Sequence, residues 1–246
     1  MHYCTIINGI EVTASYSEKS VHEILIPLLK HLSALHSIKK SRILVMLAAP
    51  PGAGKSTLVS FLEQLAKDNI PEKKVQAVGM DGFHMRQDYL ISHEVCVNGK
   101  NIPMVKVKGA PVTFDLAALH AKILELKENP ICKWPLYDRL LHNPIEDAIT
   151  IDAEIVLLEG NYLLLDINGW RELADYADYT ISISADEELL RRRLIERRIA
   201  TGVQVNAAEQ FVDFSDMSNV RLCLEKTKTA DLELELIHDG TEIIQR

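Results

Sequence analysis

RILVMLAAPPGAGKST (residues 42–57) holds, in order, an apolar run, a glycine-containing loop and the start of a helix. Residues 43–49 are all apolar, which is typical of a strand buried on both faces of a parallel sheet. The phosphate-loop pattern G-x-x-x-x-G-K-[ST] fits residues 49–56, with Ala49 in place of the first glycine. Small residues let backbone amides curl around a phosphate, and the following helix adds partial positive charge. The stretch therefore predicts a phosphate site between a strand and a helix.

This P-loop predicts binding of ATP or GTP together with Mg²⁺. Lys55 is expected to reach the β- and γ-phosphates, and the Ser56 hydroxyl is expected to ligate the metal. A plain glycine turn is the alternative interpretation, which the buried strand and the GKST sequence disfavour. The predicted ATP-binding residues are Gly52, Ala53, Gly54, Lys55, Ser56 and Thr57.

Strand and helix patterns alternate along the rest of the chain. Further strands are predicted at 75–80, 155–158, 179–184 and 232–237. Helices are predicted at about 55–67, 115–128, 186–200 and 206–225. Alternation of this kind indicates an α/β P-loop fold, with a five-stranded parallel sheet and helices on both faces.

The first 40 residues have a different pattern. Residues 3–14 alternate around Asn8-Gly9, which favours a hairpin turn. Apolar residues then recur at helical spacing from Val21 to Leu35. We predict a small hairpin-helix appendage over 1–40 and a P-loop kinase domain over 41–246, with an irregular acceptor-side excursion at 85–115 that contains a second hairpin at Asn98-Gly99.

Two acidic residues follow predicted strands. Asp81 ends the strand at 75–80, and Glu159 ends the strand at 155–158. Ligands bind beyond the carboxyl ends of parallel strands, so both carboxylates are expected beside the P-loop. Glu159 suits a metal-holding acid and Asp81 suits a general base or orienting group. A helix or turn cap is the alternative for either residue alone.

Five arginines lie on one predicted helix, at 191–193, 197 and 198. Guanidinium groups suit phosphate oxygens and the charge that develops during phosphoryl transfer. Arg193 and Arg197 are four residues apart, on one helix face, and Gly202 follows as a hinge. We predict a closing lid over about 190–203, the alternative being a solvated face paired with neighbouring glutamates.

Composition narrows the possible functions. The 246 residues carry 27 Lys and Arg against 35 Asp and Glu, a net charge of −8, which argues against nucleic-acid or anionic-membrane binding. The four cysteines show no paired spacing, as expected of reduced thiols, and the N-terminus lacks a signal-peptide pattern. A cytoplasmic location is therefore predicted.

Several further segments occur in the order found in a known family. They are DGFH (81–84), KGAPVTFD (108–115), WPLYDR (134–139) and LLEGNYLLLD (157–166). With the P-loop and the basic helix, they resemble the phosphoribulokinase, uridine kinase and bacterial pantothenate kinase superfamily of P-loop kinases. The resemblance spans about 42–240 and is closest to a bacterial branch of sugar-transport or nucleoside-type kinases.

The resemblance implies roles for particular residues. The catalytic residues would be Lys55, Asp81, Arg193 and Arg197. The metal would be held by Ser56 and Glu159. The acceptor would be bound by His84, Lys108, Tyr137, Arg139 and Asn161. Asp216 and Asn219 match a D-x-x-N element and are expected near the nucleotide. Two departures matter: Asn161-Tyr162 replaces the pantothenate-kinase LN, and Gly109 stands where uridine kinases carry a ribose-binding acid.

The expected function is transfer of the γ-phosphoryl group of ATP-Mg to a hydroxyl of a small metabolite, whether a sugar, a pantothenate-like compound or a nucleoside. Two alternatives remain open: a regulatory NTPase coupled to a protein partner, and a non-catalytic ligand-sensing relative. The sequence contains no NKxD segment to read guanine. The exposed edge of the N-terminal hairpin is compatible with a homodimer.

Overall fold

The computed structural model describes residues 1–7, 10–97, 99–139 and 141–246. Its strands are β1 (His2–Ile7), β2 (Ile10–Ser15), β3 (Ile43–Ala48), β4 (Val75–Gly79), β5 (Glu94–Val97), β6 (Lys100–Pro103), β7 (Cys132–Asp138), β8 (Asn143–Ile151), β9 (Ile155–Gly160), β10 (Tyr179–Ala185), β11 (Leu232–Ile237) and β12 (Glu242–Gln245). Its α-helices are α1 (Glu18–Ser20), α2 (Ile26–Lys39), α3 (Lys55–Asn69), α4 (Gln87–Ser92), α5 (Leu116–Glu128), α6 (Glu187–Ala200), α7 (Val205–Phe211) and α8 (Met217–Lys226).

The central sheet has six strands in the order β12-β11-β10-β3-β9-β4. The five predicted strands are present and parallel to one another, which confirms the predicted fold class. A sixth strand, β12, pairs antiparallel with β11, so the strand predicted at 232–237, although it alternates like an outer strand, is not at the edge of the sheet. A turn at His238–Gly240, in which all three residues have positive φ, reverses the chain between them.

Strand β3 is buried along its whole length because both faces of the sheet are covered. Ile43, Val45 and Leu47 face a core formed with α2, α3 and α6. Leu44 and Met46 face a second core, formed with α5 and the segment after β9. The continuous apolar run of β3 therefore serves two cores, as its sequence predicts.

The N-terminal strands β1 and β2 form the predicted antiparallel pair, while the turn predicted at Asn8-Gly9 lies outside the described residues. A π turn at Val21–Leu25 joins α1 to α2 in one continuous helical segment. Tyr3 and Tyr16 both place their rings on Phe61 of α3, with centroids 5.0 and 4.7 Å away. The hairpin is thus fixed to the helix that follows the P-loop.

The excursion at 85–115 contains more regular structure than expected. It holds α4, the β5–β6 hairpin and two 3₁₀ turns. The pairing of β5 with β6 confirms the second predicted hairpin, whose Asn98 lies outside the described residues. A β-bridge between His84 and Phe114 closes the base of the excursion. Both ends of the segment therefore meet beside Asp81.

A two-stranded ribbon of β7 and β8 was not predicted from sequence. Its pairing shifts register between Trp134 and Leu136, where Pro135 interrupts the ladder. The indole nitrogen of Trp134 donates to the carbonyl of Gly79, 2.9 Å away, and fastens the ribbon to β4. An added Cβ at Gly82 would collide with the backbone carbonyl of Pro135.

We expect Gly82→Ala to lower the free energy of unfolding by about 2–3 kcal/mol, because overpacking against a backbone cannot be relieved by a rotamer change. The control is Gly202→Ala, where an added Cβ has nothing within 4 Å and only the φ of +89° is unfavourable. That control should cost about 1 kcal/mol. Urea denaturation compares the two, and equal losses would contradict the close approach at Gly82.

Candidate active site

The P-loop connects β3 to α3 through a tight path. Gly52 and Gly54 have φ of +86° and +81°, a region that favours glycine. Helix α3 begins at Lys55, directly after Gly54. Ala49 is buried at the end of β3, so the first position of the motif tolerates a small apolar side chain. The loop therefore presents backbone amides and a helix N-terminus at one point.

Two predicted metal-side residues meet beside this loop. Strands β3 and β9 are parallel neighbours with Ala48 opposite Gly160. This register places Glu159 next to the first turn of α3, where the Ser56 Oγ donates to Glu159 Oε1 at 2.6 Å. The ammonium of Lys55 is 4.0 Å from Glu159 Oε2.

Glu159 is buried, and its neighbours shift the pKa of its carboxyl in opposite directions. Burial raises the pKa above its ordinary value, and the charge of nearby Asp81 raises it further. The Lys55 ammonium and the Ser56 hydroxyl act in the opposite direction. Gly79 keeps the space beside this carboxyl open, since an added Cβ would lie 3.1 Å from Glu159 Oε1.

Asp81 lies in the 3₁₀ turn Met80–Phe83 that follows β4. Burial alone would raise the pKa of its carboxyl, but interactions with neighbouring basic residues outweigh burial and lower it. In order of effect, these groups are His84, Lys55, Arg139 and Arg197. Asp81 is therefore held as a carboxylate, the form that accepts a proton or a hydrogen bond.

The residues present fit a magnesium ion of the kind that kinases use. Within the described ranges, no group of three or more His, Cys, Asp or Glu side chains forms a metal-ligand cluster. Magnesium in phosphoryl-transfer sites is held by one or two protein oxygens, with water and substrate phosphates completing the shell. Ser56 Oγ and Glu159, already in contact, supply oxygens of that type.

Three predicted acceptor-side residues form a stack. The His84 ring lies 3.9 Å from the Phe114 ring and 5.1 Å from that of Tyr137. The Lys108 ammonium lies over the Tyr137 ring, 5.0 Å from its centroid. Lys108 also donates to Gln87 Oε1 at 2.6 Å and to the His142 carbonyl at 3.0 Å. Lys108 thus links the excursion to the ribbon and holds Tyr137.

Arg139 and Asn161 both have polar groups without a partner among the described residues. Among the residues the structure describes, Arg139 makes no hydrogen bond or ion pair, although its charge acts on Asp81 and Glu159. Asn161 Oδ1 is buried and has no hydrogen-bond partner in the same ranges. Both side chains can therefore receive groups from a substrate.

The two predicted lid arginines are placed differently. Arg193 donates to the carbonyls of Gly52 and Asp239, at 3.5 and 2.8 Å. An added Cβ at Gly240 would collide with its guanidinium. Arg197 is exposed, acts on Asp81, and has no hydrogen bond or ion pair within the described part of the chain. Of these two arginines, Arg197 alone acts on Asp81 and lacks a hydrogen-bond or ion-pair partner among the residues that the structure describes.

The other arginines of α6 form ion pairs, but their partners are aspartates of later segments and not the neighbouring glutamates that the alternative of a solvated face named. Arg191 contacts Asp213 and Arg192 contacts Asp239. Arg198 donates twice to the buried Asp216, at 2.9 and 3.0 Å. Asp216 therefore ties α6 to the segment before α8. Asn219, also buried, lies beside Gly109.

Sequence reasoning missed two polar residues on α3. Ser60 and Glu63 line a cavity together with Ser56 and Asp81. They follow Ser56 by four and seven residues, so all three share one helix face. That spacing was visible in the sequence and would have identified them.

The chain belongs to the Phosphoribulokinase / Uridine kinase family, whose pattern matches residues 44–239. Its members are small-molecule P-loop kinases, and this class agrees with the sheet order and the P-loop described above.

Particular relatives extend the comparison. The uncharacterised protein YggC of Escherichia coli (strain K12) is 39% identical over 235 residues, which cover 95% of this chain and 95% of the relative. A candidate uridine kinase of Schizosaccharomyces pombe is 26% identical over 228 residues, covering 90% of this chain and 91% of the relative. A candidate fructose transport system kinase from Silicibacter sp. TM1040 has a crystal structure with a TM-score of 0.73 and 29% identity, covering 85% of this chain and 98% of its own.

None of the helices in the described ranges is both long enough and apolar enough to cross a bilayer.

Lys108 gives a pH-dependent prediction. Burial lowers the pKa of its ammonium to about 8, against about 10.4 in an unfolded chain. Between these values the unfolded state binds more protons, so stability conferred by Lys108 must rise with pH. Relative to Lys108→Met, we expect the wild type to gain about 1–2 kcal/mol between pH 7.5 and 10, after allowance for solvent screening.

Urea denaturation at both pH values measures this gain. Lys106→Met, at an exposed neighbouring position, is the control and should show a difference that does not change with pH. If the difference in the free energy of unfolding between wild type and Lys108→Met does not change with pH, burial does not disfavour the charged form of Lys108.

Proposed function

We propose that this chain is an ATP-dependent phosphotransferase that moves the γ-phosphoryl group of ATP-Mg to a hydroxyl of a small metabolite. The observation that carries the proposal is the convergence of Lys55, Ser56, Glu159 and Asp81 at the carboxyl edge of the sheet. Family membership supports the reaction class. The substrates named for relatives differ, which leaves the acceptor to experiment.

The phosphate end of the site is assigned to the P-loop. Backbone amides of residues 52–57 and the Lys55 ammonium would bind the phosphates, with Ser56 and Glu159 on the metal side. Bound ATP-Mg supplies the transferred group and neutralises part of its charge. Arg197 would counter the charge that develops on the moving phosphoryl group, because it faces the site without a protein partner.

The acceptor end is assigned to Asp81 and its neighbours. As a carboxylate, Asp81 would accept the proton of the attacking hydroxyl or orient that hydroxyl for in-line attack. Tyr137, Arg139 and Asn161 would contact the acceptor, with His84 and Lys108 holding the Tyr137 ring. The four free cysteines, two exposed and two buried, support a reducing cytoplasmic location. A homodimer is compatible with the exposed hairpin edge and is tested by sedimentation.

Asp81→Asn tests the proposed base. We expect acceptor-dependent ADP release to fall by about 10²–10⁴-fold, since general-base catalysis typically contributes that much. ATP binding should persist because Lys55 and the P-loop remain. The measurement is an ADP-release screen over sugars, nucleosides and pantothenate analogues, with ATP affinity from equilibrium titration.

Retained turnover in Asp81→Asn would remove the role given to Asp81. A preference for GTP, or hydrolysis stimulated only by a protein, would instead favour a regulatory NTPase. ATP binding without turnover of any acceptor would favour a ligand-sensing relative.

Arg197→Ala and Arg193→Ala separate the two lid arginines. We expect Arg197→Ala to lower kcat by about 10²–10⁴-fold, with KM for ATP changed much less, since its charge is needed when the phosphoryl group moves. The sequence predicted the same effect for Arg193. Its contacts with Gly52 favour a larger effect on KM for ATP, because the loop itself would shift.

Steady-state kinetics with both variants decides between these roles. Arg192→Ala, on the same helix and paired with Asp239, is the matched control and should leave both constants near wild type. Arg197→Ala should change the free energy of unfolding by no more than about 0.5 kcal/mol. A kcat within a few-fold of wild type would exclude Arg197 from the site.

A further inference from the structure

A cavity of about 340 Å³ opens beside the catalytic carboxylates on the side of the N-terminal hairpin. Ser56, Asp81 and Glu159 line it. Ile6 and Ile7, at the end of β1, line it as well. The first strand of the chain thus borders a space that the predicted base also lines.

The hairpin is held firmly against the helix that carries Ser56. Besides the Tyr3 and Tyr16 rings on Phe61, the Tyr3 hydroxyl is 2.7 Å from Ser60 Oγ. Ser60 itself lines the cavity. These contacts fix the start of β1 and the residue after β2 on α3, the helix that follows the P-loop. A wall of a binding site needs rigid support of this kind.

The charged groups that line this cavity all have one sign. They are Glu63, Asp81 and Glu159, and no Lys, Arg or His of the described residues lines it. Glu63 Oε2 accepts from the amide of Ala77 at 3.1 Å. The other oxygen of Glu63 has no hydrogen bond or ion pair in the described part of the chain. Glu63 therefore adds a carboxylate to the lining of the cavity, and no cation of the described residues pairs with it.

The cavity is suited to a small compound. Its volume lies at the lower end of the roughly 300–1,000 Å³ of small-molecule sites. Apolar side chains of the hairpin, of Val59 and of Ile149 make up much of the lining. The guanidinium groups of Arg139 and Arg197 act on Asp81 but do not line the cavity. Asp81 therefore meets these cations from outside the cavity.

We propose that the acceptor reaches Asp81 from this cavity, with its hydroxyl end within reach of Arg139 and Asn161 and the rest of the molecule in the cavity. The N-terminal hairpin is then one wall of the acceptor site, and Glu63 selects an uncharged acceptor over an anionic one. This inference rests on the proposed function, because it gives the cavity to the acceptor of that reaction. A neutral hydroxyl compound with an apolar portion fits, whereas a carboxylate or phosphate on the acceptor would meet Glu63 at close range.

Matched acceptor pairs test the charge selection. The pairs are panthenol and pantothenate, uridine and orotidine, and D-fructose and D-fructose 1-phosphate, each assayed for ATP-dependent ADP release. In any pair that is turned over, kcat/KM for the neutral member should be at least about tenfold higher. Glu63→Gln, which keeps the hydrogen bond to Ala77 available, should reduce that preference several-fold. Equal or better use of the anionic member by the wild type would overturn the inference.

The hairpin wall has its own variants. Ile6→Ala and Ile7→Ala should raise KM for the neutral acceptor about tenfold, near the low end of what a missing methylene costs in an apolar pocket. KM for ATP should stay unchanged. Ile38→Ala is the matched control, since Ile38 and Ile6 are 80% and 71% exposed and Ile38 does not line the cavity. Identical kinetics for all three variants would exclude the hairpin from the site.

A labelling experiment separates failure of this inference from failure of the proposed function. In a Cys4→Ser, Cys96→Ser background, Ile7→Cys is treated with a cationic trimethylammonioethyl and an anionic sulfonatoethyl methanethiosulfonate. We expect the cationic reagent to react about tenfold faster than the anionic one, relative to the same ratio at Ile38→Cys, and Glu63→Gln to reduce this preference.

No turnover of any acceptor would overturn the proposed function, and the labelling ratio would still decide the charge of the cavity. A ratio at Ile7→Cys equal to that at Ile38→Cys would overturn the selection assigned to Glu63.

Discussion

The parallel pairing of β3 with β9 is the constraint on which the site depends. Its register fixes where each strand ends, so the Ser56 hydroxyl and the Glu159 carboxyl meet at 2.6 Å although they are 103 residues apart in the chain. Strand β4 pairs with the other edge of β9 and delivers Asp81 to the same edge of the sheet. Because β3 is covered on both faces, this register cannot slip without exposing two cores.

Charge is concentrated where these strands end. Two carboxylates lie close enough for each to affect the pKa of the other, and their shifts go in opposite directions. Lys55 interacts with both, while Arg139 and Arg197 act on Asp81. Carboxylates and basic side chains are thus held together at one edge of the sheet, a preorganised arrangement that can interact with charge of either sign.

The sequence was informative where local pattern and function coincide. An apolar run followed by GKST predicts the strand, loop and helix together, and the carboxylates at 81 and 159 follow from strand ends. The ribbon was missed because Pro135 interrupts its alternation, and β12 was missed because it depends on a turn of residues with positive φ. The different environments of Arg193 and Arg197 could not be predicted from sequence. The two residues share one helix face, and only the tertiary structure shows that Arg193 contacts Gly52.

Residues near the beginning of the sequence contact residues near its end, and a residue of this end segment also contacts Arg193 beside the P-loop. Ser20 Oγ exchanges hydrogen bonds with the backbone of Ile243, 223 residues away, and Arg193 is held by Asp239 next to the phosphate loop. During synthesis, a ribosome releases β3 and the P-loop long before the partners at 239–243 exist. The P-loop therefore gains its contact with a fixed Arg193 only after residues 239–243 have been synthesised and folded. Folding around the P-loop is thus completed by a segment that is made about 190 residues later.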